Sequence, residues 1–139
     1  MPIVTITPRY KDNSVYRKYA AKLSAALNGS SLSGYVGKFA DFRNSAIARQ
    51  SFIEKVHIRT PNEKPWDGET RQAVRVSDNF LVFCKHCMYD DYYQILAIIT
   101  PDAHARSDAL LPILADMADM AETYFHSLSL KELAGLDQF

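Results

Sequence analysis

The residues best suited to chemistry in this 139-residue chain are histidines set beside arginines. His57 falls in Lys55-Val56-His57-Ile58-Arg59. A two-residue period there puts Lys55, His57 and Arg59 on one side of a strand and Val56 and Ile58 on the other. His104 follows the apolar run that ends at Ile99, with Arg106 close behind. Imidazole exchanges protons near neutral pH, and a guanidinium grips phosphate through two parallel charge-assisted bonds. Such a set is equipped for acid–base work at a phosphodiester. The plainer alternatives are a strand histidine with no task at 57 and a helix cap at 104.

Arg71 and Arg75 extend the cationic set, and either can grip phosphate or pair with Glu69 or Asp78. Lys64 and Trp66 lie in the loop Thr60–Glu69, dense in Pro, Asn, Asp and Gly. The single tryptophan can stack on a base, worth about 1–3 kcal/mol, or close a core. Cys84-Lys85-His86-Cys87, with His104, offers four potential zinc ligands. Strand alternation puts Cys84 and Cys87 on opposite faces, so no metal and no cofactor is expected. No phosphate-binding loop, dinucleotide fingerprint, GxSxG or HExxH occurs.

The elements that must position these groups read as follows. Val4–Ile6 is an edge strand stopped by Pro8. Asp12, Asn13 or Ser14 caps a helix carrying Tyr16, Tyr19, Ala20, Leu23 and Leu27 on one stripe, ended by Asn28-Gly29. A second helix is predicted over 35–49, with Val36, Phe39, Ala40 and Ile47 as its buried stripe. Strands are predicted at Lys55–Arg59, around Val74 and Val76, at Phe80–Cys84 and at Tyr93–Ile99; the last two, apolar on both faces, should be central. A final helix should begin after Ser107 or Asp108, with Pro112 near its first turn and Leu114, Met117, Ala121 and Phe125 on its stripe. Residues 127–139 add a short helical tail. The expectation is one α+β domain over 1–139, helical over 1–50, sheet over 54–100 and helix over 107–126, with helices on one side of a mainly antiparallel sheet.

Net charge is zero, which argues against indiscriminate nucleic-acid binding. The charges are unevenly placed: residues 1–50 hold eight Lys/Arg and two Asp, whereas 87–139 hold two Lys/Arg and nine acids. That suggests a basic surface for an anionic partner, or two solvated faces that balance. With no long apolar run and no leader-like N-terminus, a cytoplasmic location and no membrane contact are expected.

From Val56-His57-Ile58 through Arg75-Val76-Ser77-Asp78-Asn79, Leu81-Val82-Phe83-Cys84 and Leu96–His104 to Met117–Phe125, the ordered segments resemble the YafO toxins of the RelE-like group. The resemblance covers roughly half the chain and is carried by the order of the pieces. It implies a RelE-like fold and the toxin half of a type II toxin–antitoxin pair, held by a cognate antitoxin. It implies a ribosome-dependent endoribonuclease (an mRNA interferase) that cleaves translated mRNA without metal. Relatives in the wider group place a functional histidine just beyond their last strand, and His104 stands nearest that position. On this reading His104 exchanges protons and His57 assists, while Arg59, Arg71, Arg75, Lys64, Arg106 and Trp66 hold RNA. The alternative is a toxin of the same fold that acts on a protein target purely by binding.

Overall fold

The computed structural model describes residues 1–42, 45–100 and 111–139. The expected α+β class holds: four helices pack on a five-stranded mixed sheet among the described residues. β1 (Ile3–Ile6) leads through a 3-10 turn to α1 (Ser14–Leu27). β2 (Val36–Asp41), α2 (Ala46–Gln50) and β3 (Ile53–Ile58) follow. After a long loop come β4 (Phe80–Lys85) and β5 (Tyr92–Ile99), then α3 (Leu111–Ala121) and α4 (Leu130–Ala134). The sheet order is β1-β5-β4-β3-β2, with β1 parallel to β5 and every other pairing antiparallel.

Local chemistry explains the elements that matched expectation. Asn13 caps α1, its side-chain oxygen accepting from the amides of Val15 at 2.9 Å and Tyr16 at 3.2 Å. Gly29 ends that helix region at φ 68°, the left-handed conformation glycine takes without a steric penalty. β4 and β5 are the central strands, as their two-sided apolarity required. β1 lies at the edge, and the backbone of Phe139 bonds to Val4 beside it, so a tail segment shields part of that edge. Within the described residues α3 runs from Leu111, with Pro112 as the second residue. The expected start of that helix at 107–108 lies outside the described residues.

Helices cover both faces of the sheet, not one. Val4, Ile6, Val56, Ile58, Leu81, Phe83 and Ile95 pack with Tyr16, Tyr19, Ala20 and Leu23 of α1. On the opposite face Ile53, Phe80, Val82, Cys84 and Leu96 pack with Ala48 of α2 and with Leu114, Met117 and Ala121 of α3.

Three further expectations are corrected. The helix over 35–49 is β2 followed by the short α2, so the N-terminal fifty residues are not all helical. Ladder bonding to β3 and burial of Val36 against α1 outweigh the helical spacing of its apolar residues. The strand around Val74 and Val76 is instead a 3-10 turn over Gln72–Val74. There Val74 and Val76 are 54% and 57% exposed, and Arg75 between them is buried. Finally, Lys55, His57 and Arg59 form no solvent-facing row. Lys55 Nζ stands 4.2 Å from the ring centre of Phe80 and 4.7 Å from that of Phe42, His57 is buried, and Arg59 follows the end of β3.

β1 pairs β5 only as far as Ile95, and the Ile98 amide beyond it donates at 2.8 Å to the Tyr16 hydroxyl. Tyr19 donates its hydroxyl proton to the Arg59 carbonyl. Burial is the main cause that pushes both phenols up to about 12. The folded state thus favours the neutral phenols. Their contribution is complete below the unfolded value near pH 10 and is lost as pH rises through about 12. Tyr16→Phe strands the Ile98 amide and should cost about 1–3 kcal/mol. Urea unfolding at neutral pH and between about pH 10 and 12 checks both points; the variant should lose less stability across the alkaline window than the parent.

Candidate functional site

The loop of residues 59–79 runs from β3 to β4 and holds most of the candidate residues. Its centre is Arg75, only 2% exposed. The Arg75 guanidinium donates to the Thr70 carbonyl at 2.9 Å, those of Ser33 at 3.1 Å and Val36 at 3.0 Å, and that of Asp67 at 3.3 Å. The Trp66 ring centre lies 6.0 Å from Arg75 Cζ and 4.7 Å from Arg59 Cζ, so the indole sits beside both cations. The Trp66 amide donates to Gly34 at 2.7 Å, and Gln72 donates to the Gly37 carbonyl at 2.9 Å. The loop is thereby pinned to β2 and the segment before it.

This placement changes the roles expected of three residues. Arg75 spends its donors on backbone oxygens and is not presented to a phosphate. Trp66 wedges against the backbone, which is the core-closing alternative. Arg59 is half-buried beside Glu63, with 3.7 Å between Nη1 and Oε2. Its Nε is buried without a hydrogen-bond partner. Lys64 and Arg71 are exposed on the same loop. His104 and Arg106 lie outside the described residues.

A polar network closes the end of the sheet where β3 and β5 finish. His57, 5% exposed, faces the α3 side with its ring edge-on to Phe80 at 5.1 Å. The backbone of Ser77 meets His57 Nδ1 twice, through its amide and its carbonyl oxygen, each at 2.9 Å, so the tautomer decides which of the two is bonded. The Ser77 hydroxyl reaches the carbonyls of Ile58 at 2.8 Å and Asn79 at 3.0 Å. Asn79 donates to Glu63 at 3.0 Å and accepts from the Thr100 hydroxyl. The Thr60 amide donates to the same Glu63 carboxylate at 2.6 Å. That bond is the first cause holding the Glu63 carboxyl below its ordinary value, with Arg59 adding to it.

A shallow cleft of about 520 Å³ opens beside His57 and is lined by Lys38, Phe39, Ala40, Asp41, Glu54 and Lys55. Its charges are mixed, two lysines facing two acids. Burial raises the Glu54 carboxyl above its ordinary value, Lys85 pulls it back and Asp41 pushes it further up. The cleft therefore lacks the one-sided positive field that draws a phosphate chain.

The network brings His57 and Arg59 to one end of the sheet, and Thr100 there precedes the stretch that carries His104 and Arg106. Sequence reading missed Glu63, Ser77 and Asn79. Ser77 and Asn79 stood in a recognised turn, where such side chains commonly bond nearby backbone, but a partner as distant as Thr100 has no local signature. It also missed His126, which lies with His86 and Cys87 at the other end of β4.

The family model for toxin YafO of type II toxin–antitoxin systems matches residues 9–127. The chain belongs to that family. Comparison with curated proteins and with solved structures finds no match. No described helix is long and apolar enough to cross a membrane.

A Cβ added at Gly37 would lie 2.5 Å from the Arg75 carbonyl oxygen and 2.9 Å from the Trp66 ring. Gly37→Ala should therefore destabilise by about 1–3 kcal/mol through overpacking. Arg75→Met takes a donor from the Thr70 and Val36 carbonyls, while those of Ser33 and Asp67 keep the amides of Val36 and Thr70; it should cost about 1.5–3 kcal/mol. Urea unfolding measures both. A phosphate-contacting Arg75 would instead leave stability unchanged and weaken only RNA binding.

Proposed function

We propose that this toxin is a ribosome-dependent endoribonuclease, an mRNA interferase that cuts translated mRNA by metal-independent acid–base chemistry. In such a reaction the substrate's 2′-hydroxyl attacks the adjacent phosphorus. One group takes its proton, another protonates the departing 5′-oxygen, and cations balance the pentavalent phosphate. His104 is assigned the proton exchange. His57 assists, its ring orientation fixed by Ser77 and Phe80. Lys64, Arg71 and Arg106 are the phosphate-holding cations. Arg59 completes the set when RNA competes with Glu63 for its guanidinium, and Arg75 and Trp66 act by holding the loop in place.

The observation that supports this reading is the polar network joining His57, Ser77, Asn79, Glu63, Arg59 and Thr100. It ties a histidine and an arginine to the end of β5 just before the His104 stretch. Membership of a toxin family of type II toxin–antitoxin systems supports this reading; the proposed inhibitor is a cognate antitoxin and the proposed place of action the cytoplasm.

A second reading is favoured by the same loop. Arg75 is committed to backbone oxygens and His57 is buried, which suits a toxin that works by binding a protein target. Primer-extension mapping of a cellular transcript after expression separates the two. Cuts within translated sequence are expected for the parent. His104→Ala should lower them by about 10²- to 10⁴-fold with an unchanged circular dichroism spectrum. Undiminished cutting by that variant would remove His104 from the mechanism. Growth arrest without any cuts would replace the nuclease by the binder.

A further inference from the structure

The end of β4 opposite to His57 carries a cluster with no part in the proposed reaction. His86 and Cys87 open the β4–β5 connection, and His126 ends the π-helical turn Glu122–His126 that extends α3. One nitrogen of each ring and the Cys87 sulfur lie within 4.8 Å of one another. His86 is 2% exposed and His126 8%, while Cys87 is an exposed free thiol. From this geometry we infer a binding site for a thiophilic transition-metal ion of the zinc type, held by two imidazoles and one thiolate.

The donor set is that of a borderline-soft ion: two nitrogens and a sulfur suit zinc, whereas calcium and magnesium require oxygens. The surroundings of His126 match a metal-ligating ring. Its Nε2–H donates to the Ser51 carbonyl at 2.7 Å, leaving the lone pair on Nδ1, where the Cys87 amide lies at 3.2 Å. A backbone carbonyl behind the ring is the usual partner that orients such a ligand. At His86, Nδ1 accepts from the amides of Met88 at 3.0 Å and Tyr89 at 3.2 Å. Its Nε2 is buried with no hydrogen bond at ordinary distance, although the backbones of Phe125 and Leu128 stand near enough to act on the ring's proton. An ion on Nδ1 displaces the two amides directly. An ion on Nε2 moves the ring hydrogen to Nδ1 and repels them. Both routes open the turn of residues 86–89, and the Cys87 thiol gives up its proton to solvent.

Tetrahedral bonds of about 2.0–2.3 Å hold ligands roughly 3.3–3.8 Å apart. The donors must therefore close by about 1 Å or slightly more, a movement that falls mainly to Cys87, the exposed member of the set. Three protein ligands leave a fourth position at the Cys87 side for water or a partner's side chain. The corner is otherwise built with strain: Phe52, beside His126 with 5.9 Å between ring centres, is the one described non-glycine residue at positive φ, 58°. The π-helical turn, a feature frequent at functional sites, is what swings Phe125 and His126 inward together. An ion here would staple the β4–β5 connection to the end of α3. The six residues of β4 separate it from His57 by about 17 Å, so it takes no part in cleavage.

Cobalt(II) added to the chelator-treated full-length protein tests this. One equivalent should bind, giving a thiolate-to-cobalt charge-transfer band and the intense visible bands of a tetrahedral ion. Amide resonances of Met88 and Tyr89 should shift, and zinc should displace the cobalt and raise Tm. Cys87→Ser, at an exposed position, should abolish the charge-transfer band while keeping the fold and the toxicity. Cys84→Ser should retain the band. Absence of the band in the parent protein, or its persistence in Cys87→Ser, overturns the site.

Discussion

A buried guanidinium held by backbone carbonyls organises the loop end of this protein. Removing a cation from water is costly unless its hydrogen-bonding capacity is met. Arg75 meets it with carbonyls from Ser33, Val36, Asp67 and Thr70. Those oxygens come from two stretches of chain far apart in sequence, so satisfying one side chain fixes the loop against β2. Long connections without regular structure are uncommon in compact domains because little offsets their entropy. Here the cation supplies the missing enthalpy, and the Trp66 indole covers it from one side. From the pinned loop hang Glu63, Ser77 and Asn79, which in turn set the orientation of His57.

Covering the sheet on both faces determines where a site can be. With α1 on one face and α2 and α3 on the other, most of β4 and β5 is covered. Polar chemistry is driven to the strand ends, and the molecule has two such ends with different equipment. One carries the loop, His57 and the exit of β5. The other carries His86, Cys87 and His126 on short connections. Burial lowers the affinity of His86 for a proton, and the neighbouring His126 lowers it further. Both effects favour the neutral ring, the form in which imidazole ligates metals.

Sequence periodicity was reliable where one element met one environment. α1 was legible because its cap, stripe and glycine stop are all local, and β4 and β5 because continuous apolarity admits only a strand covered twice. It misled at β2 for a specific reason. Val36 and Phe39 both face α1 although they are three residues apart, a helical interval, because a bulge between them restores the face. Around Arg75 the alternation was real and its sense reversed: the charged residue is inside and the flanking valines are outside. No local pattern announces that reversal, since it depends on carbonyls some forty residues earlier. The candidate site was legible as a set of residue types and not as an arrangement. The polar network and the inward turn of His126 both rest on long-range partners.

The uneven charge of the chain also looks different once folded. Arg9 lies 3.7 Å from Asp116, and Arg17 lies 3.2 Å from Asp137 and within 4.9 Å of the Phe139 ring. Part of the basic N-terminal surplus is thus set against the acidic C-terminal segments. Exposed pairs of this kind contribute little stability, about 0–1 kcal/mol, but they do cancel the field that a distant phosphate would feel. Any attraction for RNA must then come from cations left outside such pairs and near the loop. Among the described residues Lys64 and Arg71 meet both conditions. Each cation that displaces a counterion from single-stranded RNA contributes about 0.7 to the logarithmic salt slope, so so small a set gives weak, salt-tolerant attraction. A toxin with that character cannot concentrate itself on free RNA by charge alone. On the proposed nuclease reading a second surface has to bring substrate and site together, and a ribosome-held message offers one where naked transcript does not.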